Sequence, residues 1–221
     1  MKLYFVRHGK TQWNLEGRYQ GGSGNSPLLP SSYEDIKKLA HYLNKKGVKF
    51  KAFYASPLER AVTTAKTLKK DMGIDVPVIE DKRLKEFNLG DLEGMKFVDA
   101  EAQYPDQIHA FRYEPAYYDP SAFKGETFEH MIARGKDLIN DLVKKYPDKD
   151  DNILLVSHGA ALCALTRTLE GYKIADIRKR GGLTNTSLTV LETNDGGKNF
   201  QEKLWNETSY LDRKITSRDT I

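Results

Sequence analysis

The sequence contains little cysteine, no long apolar stretch and little excess charge, and each shortage excludes a class of protein. Cys163 is the single cysteine among 221 residues, so no disulfide can form within the chain, and a reducing compartment is favoured. The apolar run 3–6 is far too short for a signal-peptide core, and no stretch approaches the length of a membrane span. We therefore expect a cytoplasmic protein that does not bind a membrane.

The net charge is only +4, from 35 basic and 31 acidic residues. Lysines and arginines form no basic stripe, so we do not expect nucleic acid as a partner. A mild positive charge suits an anionic small molecule. The length fits one α/β domain over residues 1–221, and the sequence leaves a homodimer open.

Short apolar runs alternate with helical periodicity along the chain. Strands are predicted at 3–6, 52–55, 77–79, 152–156, 187–192 and 200–205, and helices at 34–46, 57–72, 127–146 and 160–169. This alternation predicts a three-layer α/β/α sandwich with a mostly parallel central sheet. The aromatic-rich residues 95–126 predict an insert of short helices and loops over the ligand-binding edge of the sheet. No periodicity remains in 206–221, so we expect a mobile C-terminal tail.

Turn and cap signals mark two junctions. Ser56-Pro57-Leu58-Glu59 predicts a helix start, with the Ser56 hydroxyl as N-cap and Pro57 at the first helical position. Arg60 then lies in the first helical turn, where anions are favoured. The turn signal at 194–197 predicts that the last two strands form a hairpin.

Two predicted strands each end in a histidine followed by a glycine, in Arg7-His8-Gly9 and in Ser157-His158-Gly159. Ligands of open α/β sheets bind at the carboxyl ends of strands. Glycine lets an anion approach backbone N–H groups, and the planar fork of arginine matches phosphate oxygens. The sequence therefore predicts an oxyanion clamp, the name used below for Arg7, His8, Arg60 and His158.

Two neighbouring histidines could instead hold zinc. Zinc would need a third Cys, His, Asp or Glu ligand, without arginines crowding the metal. Cys163 lies inside a predicted helix, and His41, His109 and His130 lie in helical or irregular segments. We therefore predict no metal site.

Four blocks of residues occur in a characteristic order. They are Arg7-His8-Gly9 with Thr11 and Asn14; Ser56-Pro57-Leu58 with Arg60-Ala61 and Thr64-Ala65; Glu86 with Gly90 and Glu93-Gly94; and Ser157-His158-Gly159. Together they resemble the histidine phosphatase superfamily, in its phosphoglycerate-mutase-like branch. One tripeptide alone would not be specific, whereas four blocks in order are. The resemblance spans residues 3–192.

The resemblance implies that His8 attacks phosphorus and becomes phosphohistidine. The transferring oxygens would be held by Arg7, Arg60 and His158. Glu86 would protonate the leaving oxygen and then take a proton from water. The family's pattern places further phosphate-binding groups at Asn14, Gln20, Gly21 and Gly159, and it implies no cofactor.

Elementary chemistry agrees with these roles. A nucleophilic imidazole must be neutral, and the usual histidine pKa near ~6.5, lowered further by arginines, favours that state. Phosphoryl transfer depends mainly on positioning and charge stabilisation. Because Glu86 lies beside apolar residues in the sequence, we expect its protonated form to be favoured, at a place apart from the arginines.

The insert distinguishes a hydrolase from a mutase. A mutase must hold a second phosphate, and related mutases do so with an arginine pair after the acid. Residues 96–126 contain no such pair and have a net charge of −3, from Lys96, Arg112 and Lys124 against Asp99, Glu101, Asp106, Glu114, Asp119 and Glu126. We therefore expect a phosphatase that hydrolyses phosphate monoesters of small metabolites. A phosphoglycerate mutase and a non-catalytic phospho-ligand-binding relative are the alternatives.

One residue departs from the family's pattern. Lys10 stands where a glutamate or glutamine is common. The added positive charge beside the clamp would favour a more anionic substrate, or would simply face solvent.

Overall fold

The computed structural model describes residues 1–220. Six strands form one sheet in the order β3-β2-β4-β1-β5-β6. Their bounds are β1 (Lys2–Arg7), β2 (Ala52–Ala55), β3 (Val78–Glu80), β4 (Asn152–Ser157), β5 (Leu188–Glu192) and β6 (Gln201–Glu207). The first four are parallel, and β5 and β6 are antiparallel to their neighbours. The predicted mostly parallel sheet is therefore confirmed.

Helices cover both faces of this sheet. They are α1 (Gln12–Glu16), α2 (Pro30–Lys45), α3 (Glu59–Met72), α4 (Phe97–Gln103), α5 (Pro105–Tyr113), α6 (Phe128–Lys145) and α7 (Gly159–Leu169). Side chains alternate along β1, so Leu3 and Phe5 pack in one core with α6 and α7, whereas Tyr4 and Val6 pack in the other with α2 and α3. No helix among residues 1–220 has the length and apolar character needed to cross a bilayer.

Two helix starts differ from the predictions. Helix α2 begins at Pro30 instead of residue 34, because proline suits the first helical turn and the polar residues that follow do not interrupt it. Helix α3 begins at Glu59, with Leu58 as its N-cap and no side-chain cap bond. The prediction of Ser56 as N-cap is therefore wrong, since that serine lies three residues before the helix. At α6 the predicted start at residue 127 is confirmed, because Thr127 is the N-cap and its side chain accepts the N–H of His130.

The insert forms as expected, from α4, α5 and two short 3-10 turns. Gly90 lies where the chain passes the far end of the insert. Its φ is +52°, and a Cβ there would approach the Phe123 carbonyl oxygen to 1.7 Å. Only glycine fits such a contact.

The C-terminal segment is the clearest correction. We expected a mobile tail from residue 206, but β6 continues to Glu207 and the side chain of Leu211 is buried. Asp219 is only 1% exposed and pairs with Lys10 and Arg213. Polar contacts to distant residues hold this segment, and such contacts leave no periodic pattern in the sequence.

Candidate active site

The sheet order brings the predicted clamp residues together. Strands β1 and β4 are neighbours, with Arg7 opposite Ser157 in register. His8 and His158 therefore follow adjacent strand ends, and their ring centroids are 5.2 Å apart. Strand β2 lies on the other side of β4 and leads into the turn before α3, which supplies Arg60. The three strand ends thus meet at one edge of the sheet.

One nitrogen of the His8 ring donates to a backbone carbonyl, and the other faces Arg60. Nδ1 lies 2.7 Å from the Gly9 carbonyl oxygen, so Nδ1 carries the proton and donates it. Nε2 then has a lone pair, which accepts from Arg60 Nε at 3.3 Å. Burial, with the charges of Arg60 and Arg7, holds the pKa of His8 well below its usual value. The ring is therefore neutral at physiological pH, with Nε2 as the available nucleophile.

The His158 ring has the opposite tautomer. Its Nδ1 accepts from Arg60 Nε at 3.2 Å, so the proton lies on Nε2. That N–H donates to the Ser56 hydroxyl oxygen at 2.8 Å. Burial, followed by the positive charge of Arg60, holds the pKa of His158 well below its usual value. Ser56 thus fixes the ring of a residue on the neighbouring strand.

The Arg60 guanidinium lies between the two imidazoles. Its Nη1 and Nη2 donate to the carbonyl oxygens of Gly24 and Gly21, each at 2.9 Å. The Glu93 carboxylate holds this loop by accepting the N–H groups of Gly21 and Gly24. Burial lowers the pKa of Arg60 to about 10, so it stays cationic. A cation in this place leaves no room for zinc between the rings, and residues 1–220 contain no cluster of three or more metal-ligating side chains.

The Arg7 side chain is buried, and two of its three guanidinium nitrogens form no hydrogen bond within residues 1–220. Nη1 donates to the carbonyl oxygens of Leu183 at 2.6 Å and Asp219 at 2.8 Å. Nε and Nη2 have no hydrogen-bond partner in the described part of the chain. These two nitrogens form one edge of the guanidinium, the edge that binds two oxygens at once. Gly159 keeps it accessible, because a Cβ there would lie 3.0 Å from Arg7 Nε. Burial lowers the pKa of Arg7 to about 10.

Glu86 lies at the N-terminus of α7, not in an apolar environment. Its Oε1 accepts the N–H groups of Phe87 and Ala161, at 3.0 and 2.8 Å, and its Oε2 accepts that of Ala160 at 3.1 Å. Its charge also acts on Arg7 and Arg60. The expectations of an apolar setting and of separation from the arginines are therefore wrong.

Among the other predicted phosphate-binding positions, Asn14 and Gly21 use their oxygens in hydrogen bonds within the protein, whereas Gln20 has an unused donor. Asn14 closes a capping box with Thr11 and accepts from Asn185 Nδ2 at 3.3 Å, which is a structural use of its oxygen. Gln20 accepts the Thr11 hydroxyl, while its buried Nε2 meets no acceptor within residues 1–220. That amide is therefore a free donor. Gly21 contributes its carbonyl to Arg60.

With this geometry in hand, the chain can be compared with known proteins. The model of the histidine phosphatase superfamily (branch 1) matches residues 3–208. The chain belongs to this superfamily. A 2,3-bisphosphoglycerate-dependent phosphoglycerate mutase of Brucella anthropi is 30% identical over 191 residues, which is 86% of this chain and 90% of the relative.

Two solved structures share the fold. Bacillus stearothermophilus YhfR superposes with a TM-score of 0.86 at 28% identity, covering 95% of this chain and 98% of that one. A mycobacterial glucosyl-3-phosphoglycerate phosphatase, solved in complex with VO3, gives a TM-score of 0.81 at 29% identity over 93% and 98%. The relatives thus include both mutases and phosphatases.

Sequence reasoning did not identify the contacts of several residues around this site. Ser56 contacts His158, and the signal that could have identified it is its position directly after a buried parallel strand. Thr64 Oγ1 accepts the Gly9 N–H at 3.0 Å and donates to the Arg60 carbonyl at 2.7 Å. Asn185 Nδ2 donates to the His8 carbonyl at 3.2 Å. Neither Asn185 nor Asp219 follows a pattern that would identify it.

A cavity of about 570 Å³ lies near the segments that hold Arg7, and no clamp residue lines it. Its wall includes Gly182, Arg218 and Thr220, which flank the two residues whose carbonyls hold Arg7. The charged residues on its wall are four cations and one anion: Lys96, Arg112, Arg178, Arg218 and Glu16. The acidic residues of the insert do not line it. Two of the cations come from the insert and two, Arg178 and Arg218, come from elsewhere in the chain.

Proposed function

We propose that this histidine phosphatase superfamily member hydrolyses phosphate monoesters of small metabolites through a phosphohistidine at His8. The observation that carries the proposal is the neutral His8 ring. Its Nδ1–H donates to the Gly9 carbonyl, and its Nε2 lone pair is directed at Arg60. A nucleophile in this tautomer needs no prior deprotonation.

The reaction would proceed in two steps. His8 Nε2 forms a bond to phosphorus while the ester P–O bond breaks, and Glu86 in its protonated form gives its proton to the leaving oxygen. Water then attacks phosphorus, its proton passes to the Glu86 carboxylate, and the N–P bond breaks. The three N–H groups around Glu86 hold its carboxyl in place for both steps.

Phosphate oxygens would occupy the donors left open in the clamp. Arg7 offers its Nε–Nη2 edge, and Gln20 offers its amide Nε2. Arg60 Nη2 donates to the carbonyls of Gln20 and Gly21, whereas Nη1 donates to one carbonyl and retains one N–H for phosphate. Buried cations of this kind stabilise the charge that develops on the equatorial oxygens.

We infer that the rest of the substrate extends towards this cavity, because wall residues flank those that hold Arg7. Lys96, Arg178 and Arg218 on its wall suit a second anionic group, such as a carboxylate or another phosphate, whereas Arg112 is paired with Glu101. Its volume suits a small molecule. Small metabolites with two anionic groups are therefore the preferred substrates.

A phosphoglycerate mutase is the second candidate, favoured by the cationic cavity and by the Brucella anthropi relative. Against it, Arg112 is followed by the exposed Tyr113, so the insert has no arginine pair. Arg112 also pairs with Glu101 at 3.5 Å and lies over the Phe97 ring. These contacts occupy the insert's arginine and weaken the grip on a second phosphate that a mutase requires.

One assay separates these functions. The purified protein is given a panel of small phosphate monoesters, with and without a second anionic group, and separately 3-phosphoglycerate with 2,3-bisphosphoglycerate. We expect the wild-type protein to release free phosphate from the panel, fastest from the monoesters with a second anionic group. The His8→Asn variant should release none. Faster appearance of 2-phosphoglycerate than of free phosphate would establish the mutase, and no turnover in either assay would refute both.

A further inference from the structure

The C-terminal segment contacts the clamp through one backbone carbonyl. The carbonyl oxygen of Asp219 accepts Arg7 Nη1 at 2.8 Å and the backbone N–H of Asn185 at 2.9 Å. Asn185 in turn donates to the His8 carbonyl. Asp219 is therefore bonded directly to one clamp residue and through one side chain to another.

The side chain of Asp219 fixes the place of this carbonyl. Its carboxylate accepts Lys10 Nζ at 3.0 Å and pairs with Arg213 Nη1 at 3.1 Å. It also accepts the backbone N–H and hydroxyl of Thr216, both at 2.8 Å. Burial opposes the charged form, but the bonds from Thr216 and Lys10 outweigh it and lower the pKa of Asp219 to about 2. The carboxylate is thus ionised and fully bonded.

We propose that Asp219 is a positioning residue that orients Arg7 for phosphate, held in place by its buried ion pair with Lys10. The proposal rests on the proposed function, since it assumes that Arg7 binds the phosphoryl group. It gives Lys10 a role that the sequence did not reveal. The lysine side chain is mostly buried, and its charge pairs with Asp219.

The geometry of Arg7 explains why such a residue is needed. An unrestrained guanidinium could rotate so that any of its edges faces the site. The carbonyls of Leu183 and Asp219 both accept from Nη1, which leaves the Nε–Nη2 edge for two phosphate oxygens. Asp219 also supplies negative charge near this buried cation. Without the Lys10 pair, one of the two restraints on Nη1 would be lost.

The test compares two acids of the same segment. Asp219→Asn keeps the backbone carbonyl and the side-chain shape but removes the charge that binds Lys10 and Arg213. Asp212→Asn makes the same chemical change at an exposed residue with a φ of +50°, a conformation that asparagine also adopts. Both variants are measured for the Kd of inorganic phosphate by calorimetry, for kcat and KM, and for thermal stability.

We expect Asp219→Asn to raise the phosphate Kd and the KM about tenfold, the equivalent of one charge-assisted hydrogen bond, and to change kcat less than about threefold. Asp212→Asn should match the wild type. Lys10→Met should reproduce the defect, and the double variant should be no worse than the worse single one. An unchanged phosphate Kd in Asp219→Asn, with or without lower stability, would overturn the proposal.

The two proposals fail in different ways. Wild-type protein that forms no phosphohistidine refutes the proposed function, whatever the variants do. Wild-type protein that turns over normally, beside an Asp219→Asn variant with unaltered phosphate affinity, refutes only the positioning role. Additive losses in the Lys10 and Asp219 double variant would likewise contradict an action through the ion pair.

Discussion

Ser56 provides a sharp test of how the clamp is organised, because it was predicted as a helix cap and instead holds His158. Its hydroxyl is completely buried and accepts the Nε2–H of the ring at 2.8 Å. Ser56→Ala leaves that N–H without a partner inside the protein. An unsatisfied buried donor costs about 1–3 kcal/mol of unfolding free energy.

Loss of this hydrogen bond should also lower the rate of the reaction. Without Ser56, only the bond from Arg60 orients the His158 ring, so the ring and the guanidinium lose one restraint beside His8. We expect kcat/KM to fall about 10- to 100-fold, which corresponds to about 1.4–2.8 kcal/mol of transition-state stabilisation. The assay is steady-state hydrolysis of an aryl phosphate, alongside urea unfolding of the same preparation.

Thr166→Ala is the matched control. Thr166 is equally buried, and its hydroxyl bonds to the Leu162 carbonyl at 2.7 Å within α7, without contact to a clamp residue. The control should lose stability and keep its kcat/KM. If Ser56→Ala retains kcat/KM within about twofold while losing as much stability as Thr166→Ala, the inferred role of the hydroxyl is refuted.

Three further outcomes follow from the contacts described. Glu86→Gln should remain folded but lose about 100-fold or more in kcat, since the amide cannot exchange the proton; wild-type turnover would contradict the assignment. The folded-state pKa values of His8 and His158 lie below those of the unfolded chain. Above about pH 7 both rings are neutral in both states, so the unfolding free energy has its full value there. As the pH drops below ~6.5, the unfolding free energy should fall by up to about 1.4 kcal/mol per pH unit for each ring, because the unfolded chain takes up protons that the folded rings do not. Urea unfolding at a series of pH values should show a weaker pH dependence in His8→Asn. Gly90→Ala should lower the Tm by several degrees, because its Cβ meets the Phe123 carbonyl, whereas Gly47→Ala, where a Cβ meets nothing, should cost less.

The sheet and the clamp could be predicted because both depend on local patterns. The apolar runs before His8 and His158 identify two buried strands, and parallel neighbours in an α/β sheet place their ends together. Alternation of strands and helices then predicts the layers. Nothing in these steps requires a contact between distant and unpatterned residues.

The parts that failed depend on contacts that a linear pattern does not contain. Ser56 has every feature of a cap, and only the position of the neighbouring strand shows that its hydroxyl faces His158 instead. Glu86 has apolar neighbours in the sequence, but its carboxylate meets the N-terminus of α7, which is about 70 residues away. Asp219 lies in a segment without periodicity and is held by Lys10, at the other end of the chain.

The insert shows why a charge count over a segment is an unsafe guide to a site. Its acidic residues outnumber its basic ones, but Glu101 pairs with Arg112 and Glu126 pairs with Arg134. The cavity receives Arg178 and Arg218 from outside the insert. The net charge of the insert therefore does not describe the charge of this cavity wall.

Phosphohistidine formation tests the central claim most directly. The protein is mixed with a ³²P-labelled monoester, quenched in alkali during turnover because phosphohistidine is labile in acid, and digested for peptide mapping. We predict base-stable label on the peptide that contains His8, none in His8→Asn, and normal label in His41→Asn, which changes an exposed histidine of α2. Turnover without any label on His8, or turnover retained in His8→Asn, would contradict the account.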